Sequence, residues 1–484
     1  MVSHAATAPE APGDGVTSSV GIPWRTRLDL AFAALGERMA RSRRLIVGVQ
    51  WAVVGIYAVL IVVPTLVPLP GRLDHVWNHV TVFAQFVFWG IWWPGVLISM
   101  ILFGRLWCGV LCPEGALSER ASRFSLGRAV PRWITWKGWP FVGFLGTTIY
   151  GQMISVYQYP AAVLVILGGS TCAAIVVGLV YGRDKRVWCR YLCPVNGVFA
   201  LVSKLAPIHF RVDRAAWDRW EKPADGRLPH VDCAPLVPLR RLEGNSPCHM
   251  CGRCSGFRDA VALSSRSPNH EIVEVAGREP KPWESALIIL GLLGVAAGAF
   301  RWTGSALWVD IKQALAEHLI DLGAERLLDL SLPWWILTNY PEKNDVMTVV
   351  DGAALIVFLG LETAIAAILF AGGTALAAAL AAPWRREVFH HLVQTLIPIA
   401  AVGVILGLSM TTVSLARADG FDVALADPLR LTALTGAAIW SAVLARAVVR
   451  RHAVDPTRRR LAGAAMIGVI GLAAADWATL FWTP

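Results

Sequence analysis

Nine stretches of this 484-residue chain are each apolar for about twenty residues or more, and no other feature restricts its fold so tightly. They lie at 45–67, 80–103, 139–157, 160–181, 285–304, 347–380, 392–413, 429–449 and 461–481. A helix needs roughly 20 apolar residues to cross a bilayer core, because each backbone polar group must be satisfied within the segment. The expectation is an all-α polytopic membrane protein with about nine transmembrane helices. Composition agrees: 55% of residues are hydrophobic and 16% charged, unlike a soluble globular chain. The run at 347–380 exceeds one span, so it should tilt, break or project from the bilayer. Residues 1–22, rich in Ala, Pro, Gly and Ser, read as a disordered tail. Nothing before residue 45 has the short apolar core of a cleaved signal peptide.

Basic residues set an orientation. Six Arg precede residue 45, six Lys or Arg lie in 104–138, and six Arg lie in 446–460. The alternate loops are poor in positive charge: 305–346 holds seven acids against three bases, and 414–428 holds only Arg417. By the positive-inside rule the N-terminus is cytoplasmic and the C-terminus outside, in a bacterial inner membrane. The net charge of +10 is then a matter of topology and the anionic inner leaflet. It calls for no nucleic acid, and the lipid bilayer is the expected partner.

At the cytoplasmic end of the second run stands RLWCGVLCPEG, residues 105–115. RVWCRYLCPVNG at 186–197 repeats it: Cys108 and Cys189 are 81 residues apart, and so are Cys112 and Cys193. Each copy follows a pair of apolar runs, so the unit is two helices and a Cys-x-x-x-Cys-Pro turn, present twice. Pro113 and Pro194 suit the first turn of a helix, predicting helices over about 113–124 and 194–204. Cys112 and Cys193 would then sit at helix N-termini, where free N–H groups favour an anion such as a thiolate-ligated iron–sulfur cluster. Arg105, Arg183, Lys185, Arg186 and Arg190 add positive charge. The bland alternative, buried free thiols beside snorkelling arginines, suits a lone pair better than a duplicated one.

A third group, CHMCGRC, places Cys248, Cys251 and Cys254 at steps of three. Bacterial ferredoxins hold a cubane corner this way, in a full run C-x2-C-x2-C-x3-C-P. Here the fourth position is Arg258, and Cys233 is the nearest thiol able to replace it. Zinc prefers two separated pairs, and no Cys-x-x-Cys-His is present for haem attachment. Of nine cysteines, Cys172 lies within an apolar run and reads as core, which leaves eight. The simplest division is Cys108, Cys112, Cys189 and Cys193 for one cluster, and Cys233, Cys248, Cys251 and Cys254 for another. Cross-ligation, and a three-iron cluster on the run of three, remain open alternatives at this level.

WCGVLCP and WCRYLCP, followed by a short ferredoxin-like run, resemble the membrane polyferredoxins. These include the quinol-oxidising ferredoxin-type subunit of periplasmic nitrate reductase systems and the membrane regulator that supports nitrous-oxide reductase. The copper-reducing assembly factor of cbb3-type oxidases is similar in motif. The resemblance covers roughly 44–262 and implies [4Fe–4S] clusters on the cytoplasmic face that exchange electrons with the quinone pool. The chain departs from the pattern in having one ferredoxin run, interrupted at Arg258, and in its apolar second half. The expected organisation is a basic tail at 1–43, the duplicated unit at 44–204, and a cytoplasmic ferredoxin-like module at 205–283. A helical membrane domain follows at 284–484, with an outer segment at 305–346.

Residues 309–330 have helical apolar spacing with acids between, which fits equally a helix lying on the outer surface and an ordinary extramembrane helix packed on the bundle. Tryptophans near span ends read as interfacial anchors. Glu362 lies inside a span, at a cost on the order of 2.5–3.5 kcal/mol for a charge, and is a candidate proton-relay group or a structural residue. His390 and His391 are candidates for facing a quinone headgroup. His75 and His79 share a helix face and suit polar anchoring. No dinucleotide fingerprint appears. The reading is an electron carrier between the quinone pool and another redox protein, through two [4Fe–4S] clusters, one of which is [3Fe–4S] if the run of three stands alone. The alternatives are a copper-ion reductase or oxidase-assembly factor, and a zinc-stabilised scaffold without redox role.

Overall fold

A computed structural model describes residues 24–482 apart from Arg72, residues 221–230 and Asp232. The tail expected at 1–22 to be disordered lies outside the described residues. Eight helices among those described are long and apolar enough to cross a membrane: Arg43–Leu66, Val80–Phe103, Pro160–Tyr181, Pro282–Gly304, Val349–Ala381, Ile397–Ala418, Ala426–His452 and Pro456–Trp482. The run at 139–157 differs from the other eight. Its helix, Trp139–Met153, has 15 residues and gives way to turns before Pro160. At 1.5 Å per residue it is about 22 Å long, short of the usual span. It still runs the length of its neighbour Pro282–Gly304. At one end the Trp136 and Trp283 rings lie 5.0 Å apart. At the other, Trp302 Nε1 donates to Gln152 Oε1 at 2.9 Å. The turns after it are tied to the 305–346 segment: Thr338 N donates to Met153 O at 2.8 Å, and the Tyr159 hydroxyl donates to Asp345 Oδ2 at 2.7 Å.

The two copies of the repeat interlock. The helix after the first motif, Pro113–Ser122, packs on Gly169–Tyr181, which leads into the second motif. The helix after the second motif, Asn196–Val202, packs on Trp93–Phe103, which leads into the first. Close approach at the first of these contacts requires glycine. A Cβ on Gly178 would lie 2.6 Å from Ser118 O.

Residues 205–283 form a small module on this frame. Strands β1 (Ile208–Val212) and β2 (Val261–Ser265) pair antiparallel, with Phe210 opposite Leu263. Phe210, Val261 and Leu263 alternate inward into a core shared with Met250 and Cys254. Helix Trp24–Arg41, from the basic tail, covers β2, and Asp29 Oδ1 accepts from Ser265 N at 2.9 Å and from Ser265 Oγ at 2.8 Å.

In the second half, Pro282–Gly304 is the central helix: 72% of its apolar window is buried, against 17–44% for the other seven. The long run is one 33-residue helix, Val349–Ala381, with a widened turn at Ala367–Ala371. Glu362 on it is paired: Arg301 Nη1 reaches Glu362 Oε2 at 3.0 Å and Arg301 Nη2 reaches Asp476 Oδ1 at 2.8 Å. This triad ties three spanning helices together. The amphipathic stretch becomes the helix Ala306–Asp321, docked on the start of Val349–Ala381 with Lys312 Nζ 2.5 Å from Asp351 Oδ1. Cys172, expected in the core, is exposed on the outward side of its helix.

Glu119 joins three parts of the fold. Its Oε2 accepts from Arg186 Nε at 2.8 Å and lies 2.7 Å from Arg186 Nη2, while its Oε1 accepts from Arg253 of the module. Burial raises its pKa, but Arg186 and Arg253 together outweigh burial and hold it below the usual value of 4.5. A depressed folded pKa adds stability above the unfolded value and loses it as the pH falls through the folded value. Glu119→Ala would leave the Arg186 side chain, 1% exposed, without its carboxylate. Removing one partner of a buried pair costs about 3–5 kcal/mol. The expected result is a lower unfolding temperature for the variant at pH 7. The gap between wild type and variant should narrow as the pH is lowered below about 4.5, the unfolded carboxylate value.

Candidate functional site

In each copy the residues Trp-Cys-x-x-Leu form one widened helical turn, Trp107–Leu111 and Trp188–Leu192. Cys112 N bonds to Trp107 O at 2.8 Å and Cys193 N to Trp188 O at 3.0 Å. The following proline cannot extend the turn, so the chain breaks direction at both second cysteines. Cys112 then caps Pro113–Ser122, and Gly115 N donates to its sulfur at 3.4 Å. The copies differ here. The helix expected from 194 begins at Asn196, so Val195 rather than Cys193 precedes its first turn.

Cys108, Cys112, Cys189 and Cys193 line one cavity of about 240 Å³ inside the bundle. Of the expected basic residues, Arg105 reaches a thiol and Arg186 reaches the backbone beside it, and these two are also 81 positions apart. Arg105 Nη2 lies 3.8 Å from Cys108 Sγ and donates to Asn196 Oδ1 at 2.6 Å, while Nη1 donates to Ser246 O at 2.8 Å. Arg186 Nη1 donates to the Cys108 carbonyl. Arg183 lies instead against Gly127. Trp188 Nε1 donates to Glu114 Oε2 at 3.2 Å across the two copies.

The module's cysteines form a second group. Cys233, Cys248, Cys251 and Cys254 line one small cavity with Phe210 and His249. Positive φ at Met250 and Gly252 curls the loop around it, and Met250 N donates to Cys248 Sγ at 3.4 Å. Glu271 steadies the approach to Cys248: its carboxylate accepts from Asn245 N at 2.7 Å and Ser246 N at 3.1 Å and pairs with Arg266 at 2.8 Å. Arg258, at the position where a ferredoxin run has its fourth cysteine, turns away. Its guanidinium lies 4.7 Å from the Trp217 ring centre and 4.9 Å from that of Trp220.

The two groups touch. A Cβ on Gly109 would lie 2.1 Å from His249 O and 2.9 Å from Cys251 N, so only glycine fits beside Cys108. Arg105 spans the junction, holding Ser246 on one side and Cys108 on the other. Burial pushes the Cys189 thiol up to about 12 even with Arg186 opposing it, and the Cys248 thiol up to about 12. Such thiols stay protonated at neutral pH unless a metal takes the proton's place. Among the described residues, no three His, Cys, Asp or Glu side chains converge closely enough to hold a single metal ion. Four thiols around a volume, with amide and guanidinium donors aimed at sulfur, instead suit a thiolate-ligated iron–sulfur cluster.

The other candidates lie apart from the large cavity, whose lining includes none of Glu362, His390 and His391. His390 Nδ1 is 2.8 Å from Ser285 Oγ. His391 is wedged between Ile272 O at 2.9 Å and His452 Nε2 at 2.8 Å, and burial pushes its pKa down to about 4. His75 Nδ1 pairs with Asp419 Oδ1 at 2.6 Å. The aromatic wall of the cavity, with Trp89, Trp92, Trp93 and Trp107, escaped the reading of tryptophans as interfacial anchors. The signal was present in WGIWW at 89–93, midway along a span where an anchor has no interface.

Residues 85–131 and 165–213 each match the family described as a 4Fe–4S binding domain. YccM of Escherichia coli, named as a candidate electron transport protein, is 25% identical over 234 residues, 43% of this chain and 64% of its own length. The regulatory protein NosR of Pseudomonas aeruginosa is 26% identical over 34% of this chain and 25% of its own length. The protein NirI of Paracoccus denitrificans is 26% identical over 34% of this chain and 26% of its own length. The chain thus covers under two thirds of YccM and about a quarter of the other two. No solved structure matches it significantly. Each duplicated turn lies within a segment that matches the 4Fe–4S binding domain family, and part of the chain is similar to a candidate electron transport protein, a regulatory protein and NirI.

Proposed function

We propose that the protein carries electrons between the quinone pool and a separate redox protein through two [4Fe–4S] clusters. The observation that carries this reading is the contact between the two thiol groups at Gly109. One group ends an apolar cavity in the bundle, and the other sits in the module. Cys108, Cys112, Cys189 and Cys193 would hold the first cluster, and Cys233, Cys248, Cys251 and Cys254 the second. Clusters of this type supply one-electron exchange when bound. The chain's own residues do the rest. Arg105 and Arg186 place positive charge at the first set of thiolates, which favours the reduced form and holds the potential up. Glu271 fixes the loop that presents Cys248. The interlocked helices bury Cys108 and Cys189.

The membrane arrangement follows the loop charges: a bacterial inner membrane with the N-terminus and both thiol groups cytoplasmic and the C-terminus outside. This needs an odd number of crossings, and Trp139–Met153 supplies the ninth. Its path beside Pro282–Gly304, end to end, supports that role.

Protein purified anaerobically should contain about eight irons and eight acid-labile sulfides per chain, as two cubanes. Stoichiometric zinc without sulfide would overturn the reading. Cys233→Ala should lower iron content or yield a three-iron EPR signal. Unchanged iron and spectrum would show that the fourth ligand lies elsewhere. Cys112→Ala and Cys193→Ala should each remove the same cluster signal and spare the other. Loss of different clusters in the two variants would mean cross-ligation.

A further inference from the structure

We propose that the bundle cavity, whose one end is lined by the four motif thiols, binds the ring of a lipid-soluble quinone farther along its length, with the Trp93 indole N–H donating to one of its carbonyl oxygens. The inference rests on the electron-transfer reading above and gives it a location, distinct from His390, His391 and Glu362.

The cavity is longer than a four-thiol site. The cysteines occupy one end, after Phe103 in the chain. Its wall continues back along Val80–Phe103 to Trp93, Trp89 and Phe88 and crosses to Tyr57 and Tyr157. Ten residues of helix from Trp93 to Phe103 correspond to about 15 Å. A ring lodged near Trp93 is therefore displaced from the thiols along the membrane normal, toward the middle of the bilayer. The widened turn Phe86–Trp92 rotates its aromatic residues onto this wall.

The wall states its own ligand chemistry. Trp93 Nε1 is buried and has no hydrogen-bond partner. An indole only donates, so the missing partner is an acceptor. The flanking rings favour a flat guest: Trp92 and Trp107 meet edge-on at 5.0 Å, and Trp89 lies 4.5 Å from Tyr157. Phosphate-bearing cofactors find no cation here, because the Arg105 guanidinium is engaged by Ser246, Asn196 and Cys108. A mostly apolar pocket with few polar groups suits a mostly apolar ligand with few acceptors. A flat ring with carbonyl oxygens and an apolar tail, adjacent to redox ligands and within the bilayer, is a quinone. The second half of the chain gains a purpose: Ala296, Ala299 and Val404 form the facing wall, and the two alanines leave the space open.

The test uses the full-length protein with its clusters, purified anaerobically into nanodiscs of quinone-free lipid and titrated with decylubiquinone by calorimetry. Wild type should bind one equivalent. Trp93→Phe keeps the ring and removes the donor, and should weaken binding about 3- to 10-fold, the range for one lost hydrogen bond. Ala299→Phe fills the cavity and should abolish binding. Trp136→Phe, at the far end of a neighbouring helix, should bind as wild type. All three should keep wild-type iron, sulfide and EPR spectra. Wild-type affinity in both Trp93→Phe and Ala299→Phe, with clusters intact, would place the site elsewhere while the electron-transfer reading stands. No binding to cluster-loaded wild type would overturn this inference and the quinone arm of the proposed function, leaving the clusters themselves untouched.

Discussion

Everything at the motif end of the bundle depends on bringing together two cysteine turns 81 residues apart. One Cys-x-x-x-Cys-Pro turn offers two thiols, so a cavity lined by four needs two turns held in register. The chain does this by exchange. Each short helix after a motif packs on the long helix that precedes the other motif. Arg186 then pins the second copy to the first through the Cys108 carbonyl, and its other donors are held by Glu119. Because Glu119 also binds Arg253, the same carboxylate fixes the module against the repeat. A buried ion network of this kind is weak evidence for net stability, but breaking it leaves a charge stranded. Its value here is geometric.

The second dependency is the contact at Gly109. The two copies are not equivalent there: the matching position in the second copy is Arg190. The first turn meets the module's cysteine loop backbone to backbone at Cys251, whereas the second copy meets the module at Arg186, whose N donates to Ala234 O at 2.8 Å. The departure from exact repetition marks which copy packs against the cysteine loop. Arg105, equivalent to Arg186, likewise turns to a different job, reaching across to Ser246.

The C-terminal half contributes one wall of the cavity, through Ala296, Ala299, Phe300, Val404 and Leu408. Pro282–Gly304 is central because it faces both the repeat and the remaining helices. Glu362, the conspicuous carboxylate within a span, forms a triad with Arg301 and Asp476 that joins helices. Its charge is offset within the bundle, which is the ordinary resolution of an ionisable group at that depth.

The sequence alone determined the class of fold and the chemistry of the sites. Long apolar runs leave the chain no alternative to membrane helices, and thiol spacing is covalently set, so both are local properties. The duplication at 81 residues was legible for the same reason. Long-range placement was not. That Cys233 lines the same cavity as Cys248, Cys251 and Cys254 depends on the module's folding. The helix at 139–153 proved shorter than its apolar run because Ser155 has positive φ and the following turns are held by the 305–346 segment. Cys172 turned outward because rotation about a uniformly apolar helix is decided by its neighbours, not by its own pattern. The aromatic cavity belongs wholly to the tertiary structure. Its wall draws on five spanning helices and on Trp139–Met153, and whether an indole N–H is satisfied is a property of that assembly rather than of the residue.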